Sequence, residues 1–264
     1  MTDSDVHSTV MPAAFFGHGS PMNTLEHNVY TEAWRAFGAS VPTPRAILIV
    51  SAHWYIGATA VTAMSQPKTI HDFYGFPQQL FDVQYAAPGS PQLADEVAEL
   101  VQPTWVGKDI DSWGLDHGTW SVLHHMFPEA NVPVVQLSID ATKDFDYHLQ
   151  LGAKLSALRE CGVLILGSGN VVHNLSAIQW SAPNSGTEWA EDFDTAVHDI
   201  MVSNPSALPS VVTHRAFRNS VPTPDHFIPL LYIAGLATSA NAVTQPTLKS
   251  CVLGSLSMTS YILQ

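Results

Sequence analysis

The chain has 264 residues, 46% of them apolar, and a mean hydropathy of +0.09, enough to build one large α/β core or two small ones. Its 23 acidic against 10 basic residues leave a formal net charge of −13, and no Lys/Arg cluster stands ready to track a phosphate backbone, which argues against a nucleic-acid partner. No uninterrupted apolar stretch reaches the length of a membrane span, and Met1–His7 has no basic segment followed by an apolar one, so the expectation is a cytoplasmic enzyme with no membrane partner. Cys161 and Cys251 are too few and too far apart for a thiolate metal site and are expected to be buried free thiols.

In chain order, Ala13–Phe16 reads as a buried strand, Tyr30–Phe37 as a helix ahead of a Pro42/Pro44 linker, and Ala46–Val50 and Ala60–Met64 as further strands. Thr69–Pro88 is too aromatic for a solvated loop and too punctuated by Gly and Pro for a helix; such a loop suits the roof of a pocket. Ser90–Val101 is a well-signalled helix, with Ser90 as N-cap and Pro91 at the first helical position. Gly118–Phe127 reads as a shorter helix, Val132–Ser138 as a strand, Asp144–Glu160 as an amphipathic helix, Val163–Leu166 as a strand and Trp189–Val202 as a helix. Ser181–Glu188 and Asn204–Pro209 look like ordinary surface connections. The alternation predicts an α/β fold with a mainly parallel or mixed central sheet flanked by helices. No internal repeat or compositional break divides it. One domain over residues 1–264 is expected, with residues 1–11 as a flexible N-terminal tail.

Four histidines sit in Gly/Pro/Ser-rich turns: Phe16-Gly-His18-Gly-Ser-Pro, Ser51-Ala-His53-Trp, Gly167-Ser-Gly-Asn-Val-Val-His173-Asn and Pro222-Thr-Pro-Asp-His226-Phe. Three of them follow apolar runs. In an open α/β sheet the carboxyl ends of the strands line the ligand crevice, so these side chains can converge there. Small neighbours leave the rings unobstructed, and neutral imidazoles with open positions suit a mononuclear metal site. His117, in Gly114-Leu-Asp-His117-Gly-Thr-Trp120, is a fifth candidate, as a proton donor beside the metal or as an incidental residue after an N-capping Asp. His124, His125, His148 and His198 fall on helices, where structural roles are expected; His7, His27 and His214 carry no signal. Trp54, Phe73, Tyr74 and Phe76 are candidates to wall an aromatic substrate, the alternative being ordinary packing.

Taken together, Gly-His18-Gly-Ser-Pro, Ser-Ala-His53-Trp, His71-Asp-Phe-Tyr-Gly-Phe-Pro, Tyr85-Ala-Ala-Pro-Gly, Gly-Leu-Asp-His117-Gly-Thr-Trp, Gly-Ser-Gly-Asn-Val-Val-His173-Asn-Leu, Pro-Asp-His226-Phe-Ile-Pro-Leu-Leu and Gly-Ser-Leu-Ser-Met258 resemble the DOPA 4,5-dioxygenase branch of the class III extradiol ring-cleavage dioxygenases. Each motif alone is weak, but eight in order from about Pro12 to Tyr261 are specific. The resemblance implies a non-haem iron(II) centre that opens a catechol ring beside its hydroxyls with both atoms of O₂. By that likeness His18 and His53 are the first two ligands. The wider family uses a glutamate as third ligand; this chain offers Asp225-His226 there, and His226 is taken as the ligand. His173 matches a histidine beside the metal that is either a further ligand or the acid/base. An all-nitrogen set also suits Zn²⁺ as the bound species.

Catechol cleavage needs a base for a catechol proton and an acid as the O–O bond breaks, tasks that fit His173 and His117. The implied partners are therefore a small catechol and O₂. Arg and Lys are absent from the motifs, which favours a neutral or hydroxyl-rich catechol. One alternative is a zinc-dependent hydrolase on the same histidines, with Asp225, Asp116 or Asp72 as base, although no His-Glu-x-x-His signature supports it. A non-catalytic binding protein of the same fold would lack part of the histidine set, and here the set is complete. Oligomeric state is not readable.

Overall fold

The computed structural model describes residues 10–264. Its core is an eight-stranded sheet built from β1 (Ala13–Gly17), β2 (Ala46–Ile56), β3 (Ala60–Thr62), β4 (Gly107–Asp109), β5 (Val134–Asp140), β6 (Val163–Gly169), β7 (Gln245–Leu248) and β10 (Ser260–Leu263). The spatial order is β4-β3-β5-β2-β6-β1-β10-β7, and β8 (Cys251–Val252) and β9 (Leu256–Ser257) form a separate hairpin. The four central strands β5, β2, β6 and β1 run parallel, with antiparallel pairings of β3 on β5 and of β10 on β1 and β7. The sheet is thus mixed, as expected.

Continuous apolar runs such as Ala46–Val50 belong in such a centre because both faces are covered. Period-two alternation divides them between the faces. Phe15, Leu48, Val50, Val163 and Ile165 enter one apolar cluster; Phe16, Ile47, Ile49, Leu164 and Leu166 enter the other. The first face carries α3 (Pro91–Leu100), α5 (Phe145–Lys154), α7 (Glu188–Ser203) and α9 (Ile228–Ser239); the second carries α1 (Val29–Ser40) and α4 (His117–Met126). Short helices α2 (Gln78–Phe81), α6 (Ala157–Glu160) and α8 (Phe217–Ser220) complete the set. Among the described residues no helix is long and apolar enough to cross a membrane.

Several expectations change on contact with the structure. The helix expected over Asp144–Glu160 is two, α5 and α6. The break begins where Leu155 N–H is shared between Leu151 O and Gly152 O, and the following bonds run i to i−3, which tightens the backbone out of the α form. Asn204–Pro209 is not a plain surface connection: Pro205–Thr213 is a 3₁₀ helix whose Leu208 and Val211, three residues apart, turn inward together. Cys251 is buried as expected, whereas Cys161 is exposed in the turn between α6 and β6. Of the expected N-terminal tail, residues 1–9 and with them His7 lie outside the described residues. Met11, by contrast, is buried; its N–H donates to Arg159 O at 3.0 Å and its carbonyl accepts from Arg159 Nε at 2.6 Å.

Candidate metal centre

Parallel pairing aligns the carboxyl ends of β1, β2 and β6. Gly17 lies opposite Gly169, and Ser51 opposite Ser168. His18 follows the end of β1. His53 was expected in a turn after the strand, but β2 continues through it to Ile56. Between Val50 and Tyr55 the pairing with β5 slips, five residues of β2 spanning the two from Leu137 to Ile139. A bulge of this kind re-aims side chains, and His53 lies within it. His117 opens α4, whose N-cap Asp116 accepts from Thr119 N at 3.1 Å and from Ser51 Oγ at 2.6 Å. His226 and His173 come from segments folded against the end of β6: Asn170 N donates to His226 O, and His173 N to Ser220 O. Gly169 permits that approach, because a Cβ there would collide with His226 O.

The five imidazoles converge. His18 Nε2 lies 3.3 Å from His53 Nε2, and His18, His53 and His117 each offer a nitrogen within 4.8 Å of the others. The His226 ring centroid stands 5.3 Å from that of His18 and 5.0 Å from that of His53, while His173 stacks on His226 at 3.5 Å with an interplanar angle of 3°. The hydrogen-bond network assigns the tautomers. Ser168 Oγ donates to Gly118 O, so it accepts from His18 Nδ1 at 3.0 Å. Asp72 takes His53 Nδ1 at 3.1 Å and His117 Nδ1 at 2.9 Å, and Asp225 takes His226 Nδ1 at 2.6 Å. Each anchored ring is left with Nε2 as its free nitrogen.

Electrostatics agree. Burial, reinforced by the charges of its neighbouring imidazoles, holds His18 well below its ordinary pKa; burial likewise lowers His117, takes His226 to about 4 and takes His173 to about 2. His53 is the exception. Burial pulls it down, but the Asp72 hydrogen bond and the charges of Asp116, Asp72 and Asp225 outweigh that and raise it. Asp72 and Asp225 resist the upward push of burial and stay well below the usual carboxylate range because imidazoles donate to them.

This donor set fits a divalent transition metal. Two Nε2 lone pairs facing each other at 3.3 Å repel unless a cation sits between them. That spacing also matches the edge of a coordination shell with metal–nitrogen bonds of about 2.0–2.1 Å. Anchoring of Nδ1–H by a carboxylate or hydroxyl, as at His18, His53, His117 and His226, is the usual support for ligating histidines.

Residues 7–258 match the family model described as the catalytic LigB subunit of aromatic ring-opening dioxygenase. The chain belongs to this family. It is 47% identical to a 4,5-DOPA dioxygenase extradiol of Escherichia coli K12, over 98% of this chain and 96% of the relative. The protein of that name in Beta vulgaris is 34% identical, over 84% of this chain and 85% of its own. A crystal structure of an uncharacterized Escherichia coli K12 protein superposes with a TM-score of 0.85 at 41% identity, covering 96% of this chain and all of the other. The likeness read from the motifs is borne out: the chain is a metal-dependent extradiol ring-opening dioxygenase.

Other residues singled out in the sequence take varied places. Phe73 packs edge-on to His117, centroids 5.5 Å apart, and on Phe76 at 5.4 Å. Trp54 is buried and stacks on Trp113. Tyr74 is 92% exposed beside Gly75, at a tip of the 69–88 loop, and does not reach the imidazoles. Sequence reading gave no positioning role to Asp72, Ser168 or Gly118. Asp72 lies in a quoted motif, but nothing in spacing alone joins it to His53 and His117. Gly118 is needed because a Cβ there would stand 2.5 Å from Ser51 Oγ and 2.8 Å from His53 Cδ2.

Proposed function

We propose that this chain opens the ring of DOPA or a closely related catechol next to its hydroxyls, in the 4,5-extradiol sense, with iron(II) as the working metal and Zn²⁺ as an alternative occupant. The carrying observation is the buried convergence of His18, His53, His117 and His226, three of them anchored at Nδ1 by carboxylates and one by a hydroxyl. The names of the relatives supply the substrate. When bound, the metal gives an open face that gathers catechol and O₂ and lowers the pKa of the catechol hydroxyls.

In this reading His18, His53 and His226 hold the metal, and His173, stacked on His226, closes the set on its more exposed side. His117 handles a proton at Nε2 while Asp72 fixes Nδ1, and His173, kept neutral by burial, offers a ring nitrogen as hydrogen-bond acceptor to a catechol hydroxyl. Phe73 and Phe76 wall the ring, with Tyr74 and Trp54 farther out. One observation favours a second assignment: the His117 nitrogen, and not that of His226, falls in the group lying within 4.8 Å. There His117 is the third ligand and His226 the proton-handling group. The proposal includes a cytoplasmic setting, which the two free thiols suit, and one catalytic unit over the full chain.

Anaerobic loading with Fe²⁺ followed by O₂ uptake and visible absorbance with a panel of catechols tests the activity. The expected result is uptake with a yellow ring-opened product for DOPA, lost in His53→Ala. Fe²⁺ binding with no catechol consumed overturns it. Metal content of His226→Ala and His117→Ala separates the two assignments: the ligand variant is the one that loses metal.

A further inference from the structure

Asp72 is a carboxylate with two imidazoles to satisfy. Its Oδ2 accepts from His53 Nδ1 at 3.1 Å; its Oδ1 accepts from His117 Nδ1 at 2.9 Å and from the His117 backbone N–H at 2.9 Å. Nδ1 and Nε2 occupy opposite edges of an imidazole, so Asp72 stands behind both rings relative to their free nitrogens. The rings themselves lie close, centroids 3.9 Å apart.

Nor is Asp72 on a loose segment. Ile70 N donates to Leu115 O at 2.8 Å, Leu115 N to Lys68 O at 2.9 Å, and buried Trp120 Nε1 to Ile70 O at 2.8 Å. On the far side His71 Nε2 bonds Val83 O at 2.9 Å. The next residue, Phe73, packs on His117. One loop therefore supplies both the aromatic wall and the group that orients two imidazoles.

We propose that Asp72 is the positioning residue of the centre: by accepting from two Nδ1–H groups at once it locks His53 and His117 together in the tautomer that points both Nε2 lone pairs into the metal cluster. Only a carboxylate can do this, because it presents two acceptor oxygens and no donor. An asparagine presents one oxygen and one NH₂; the ring and backbone N–H of His117 together keep the oxygen, so His53 meets the NH₂ and must accept at Nδ1. That ring then carries its proton on Nε2 and loses its metal-facing lone pair. His18, held by Ser168, is untouched.

The inference rests on reading the cluster as a metal centre, and its test keeps the two apart. Long-range ¹H–¹⁵N NMR of the metal-free protein, in alkaline solution where the imidazoles are neutral, reports each tautomer directly. The expected result is Nδ1–H for His53 and His117 in the unaltered protein, and Nε2–H for His53 in Asp72→Asn. In the same variant Zn²⁺ affinity, measured by chelator competition, falls about 10–100-fold while His18 keeps its tautomer; Asp72→Glu, which keeps both acceptors, recovers part of the loss. Nε2–H on either ring in the unaltered protein overturns the proposal, and needs no variant to fold. So does an Asp72→Asn protein with both rings still Nδ1–H and full Zn²⁺ affinity. Failure of the unaltered protein to bind Zn²⁺ overturns the metal reading instead, and the tautomers still decide this one.

Discussion

The two sides of the histidine cluster are anchored by the same chemistry at opposite sequence distances. On one side Asp72 reaches across the chain to His53 and His117, 19 and 45 residues away, and serves both. On the other, Asp225 serves His226, its immediate neighbour, and His173 is held by stacking and a backbone bond. A shared acceptor makes its two rings depend on each other and on the loop that carries it; a private one leaves His226 independent. The difference predicts which substitutions disturb the whole centre and which disturb one ring.

The largest effect separates proton handling from metal holding. Changing His117 to Ala is expected to lower kcat by about 10²–10⁴-fold, the usual weight of a positioned acid or base, with metal content unchanged by elemental analysis. Loss of metal in that variant would move His117 to the ligand shell and put two metal ligands on the shared Asp72 side. Asp225→Asn comes next. With one Nδ1–H to satisfy, its amide oxygen can replace the carboxylate, so Zn²⁺ affinity is expected to fall by less than about tenfold, well short of Asp72→Asn. Equal losses in the two variants would show that charge rather than acceptor count sets the tautomers.

Much of the fold was legible because the physics is local. Apolar runs stopped by glycine marked β1 and β6, the apolar run before Ser51 marked β2, and Ser90-Pro91 marked the start of α3, where Ser90 Oγ does accept from Leu93 N. Missing from that reading was α9, buried from Ile228 to Ala237. A helix that is apolar all round has no amphipathic period to read, and Gly235 and Gly152, which let α9 and α5 backbones touch, look like breakers in sequence. The short strands β4, β7 and β10 were missed for want of length. At the site, Asp225 beside His226 was visible as a pair. Asp72 was visible as a motif residue and as a candidate base, not as the anchor of two imidazoles, since its partners are brought to it by the sheet and by α4.

Gly118→Ala tests the shared side through packing. Its Cβ would press on Ser51 Oγ and on the His53 ring edge, so His53 must shift relative to Asp72. The expected cost is about 1–3 kcal/mol of stability, typical of overpacking, read from denaturant melts of the metal-free protein, together with weakened Zn²⁺ binding. Full stability with intact metal affinity would mean the ring has room that the shared anchor does not need.

The mildest perturbation is acid applied to the metal-free protein. His53 is raised above its ordinary pKa, first against burial and then by Asp72, whereas His226 is lowered to about 4. Their stability contributions have opposite signs. The raised His53 contributes fully below its unfolded pKa of about 6.5, and that contribution is lost as pH rises through its folded value. The lowered His226 contributes fully above the unfolded value, and its contribution is lost as pH falls towards 4. Of these two rings, His53 should therefore titrate first on acidification and His226 well after it. Stability of the metal-free protein should fall on the acid side, because His18, His117 and His173 are lowered along with His226. If His226 took its proton before His53, the Asp225 pairing would be the stronger of the two, and dependence on a shared carboxylate would not be what distinguishes the sides.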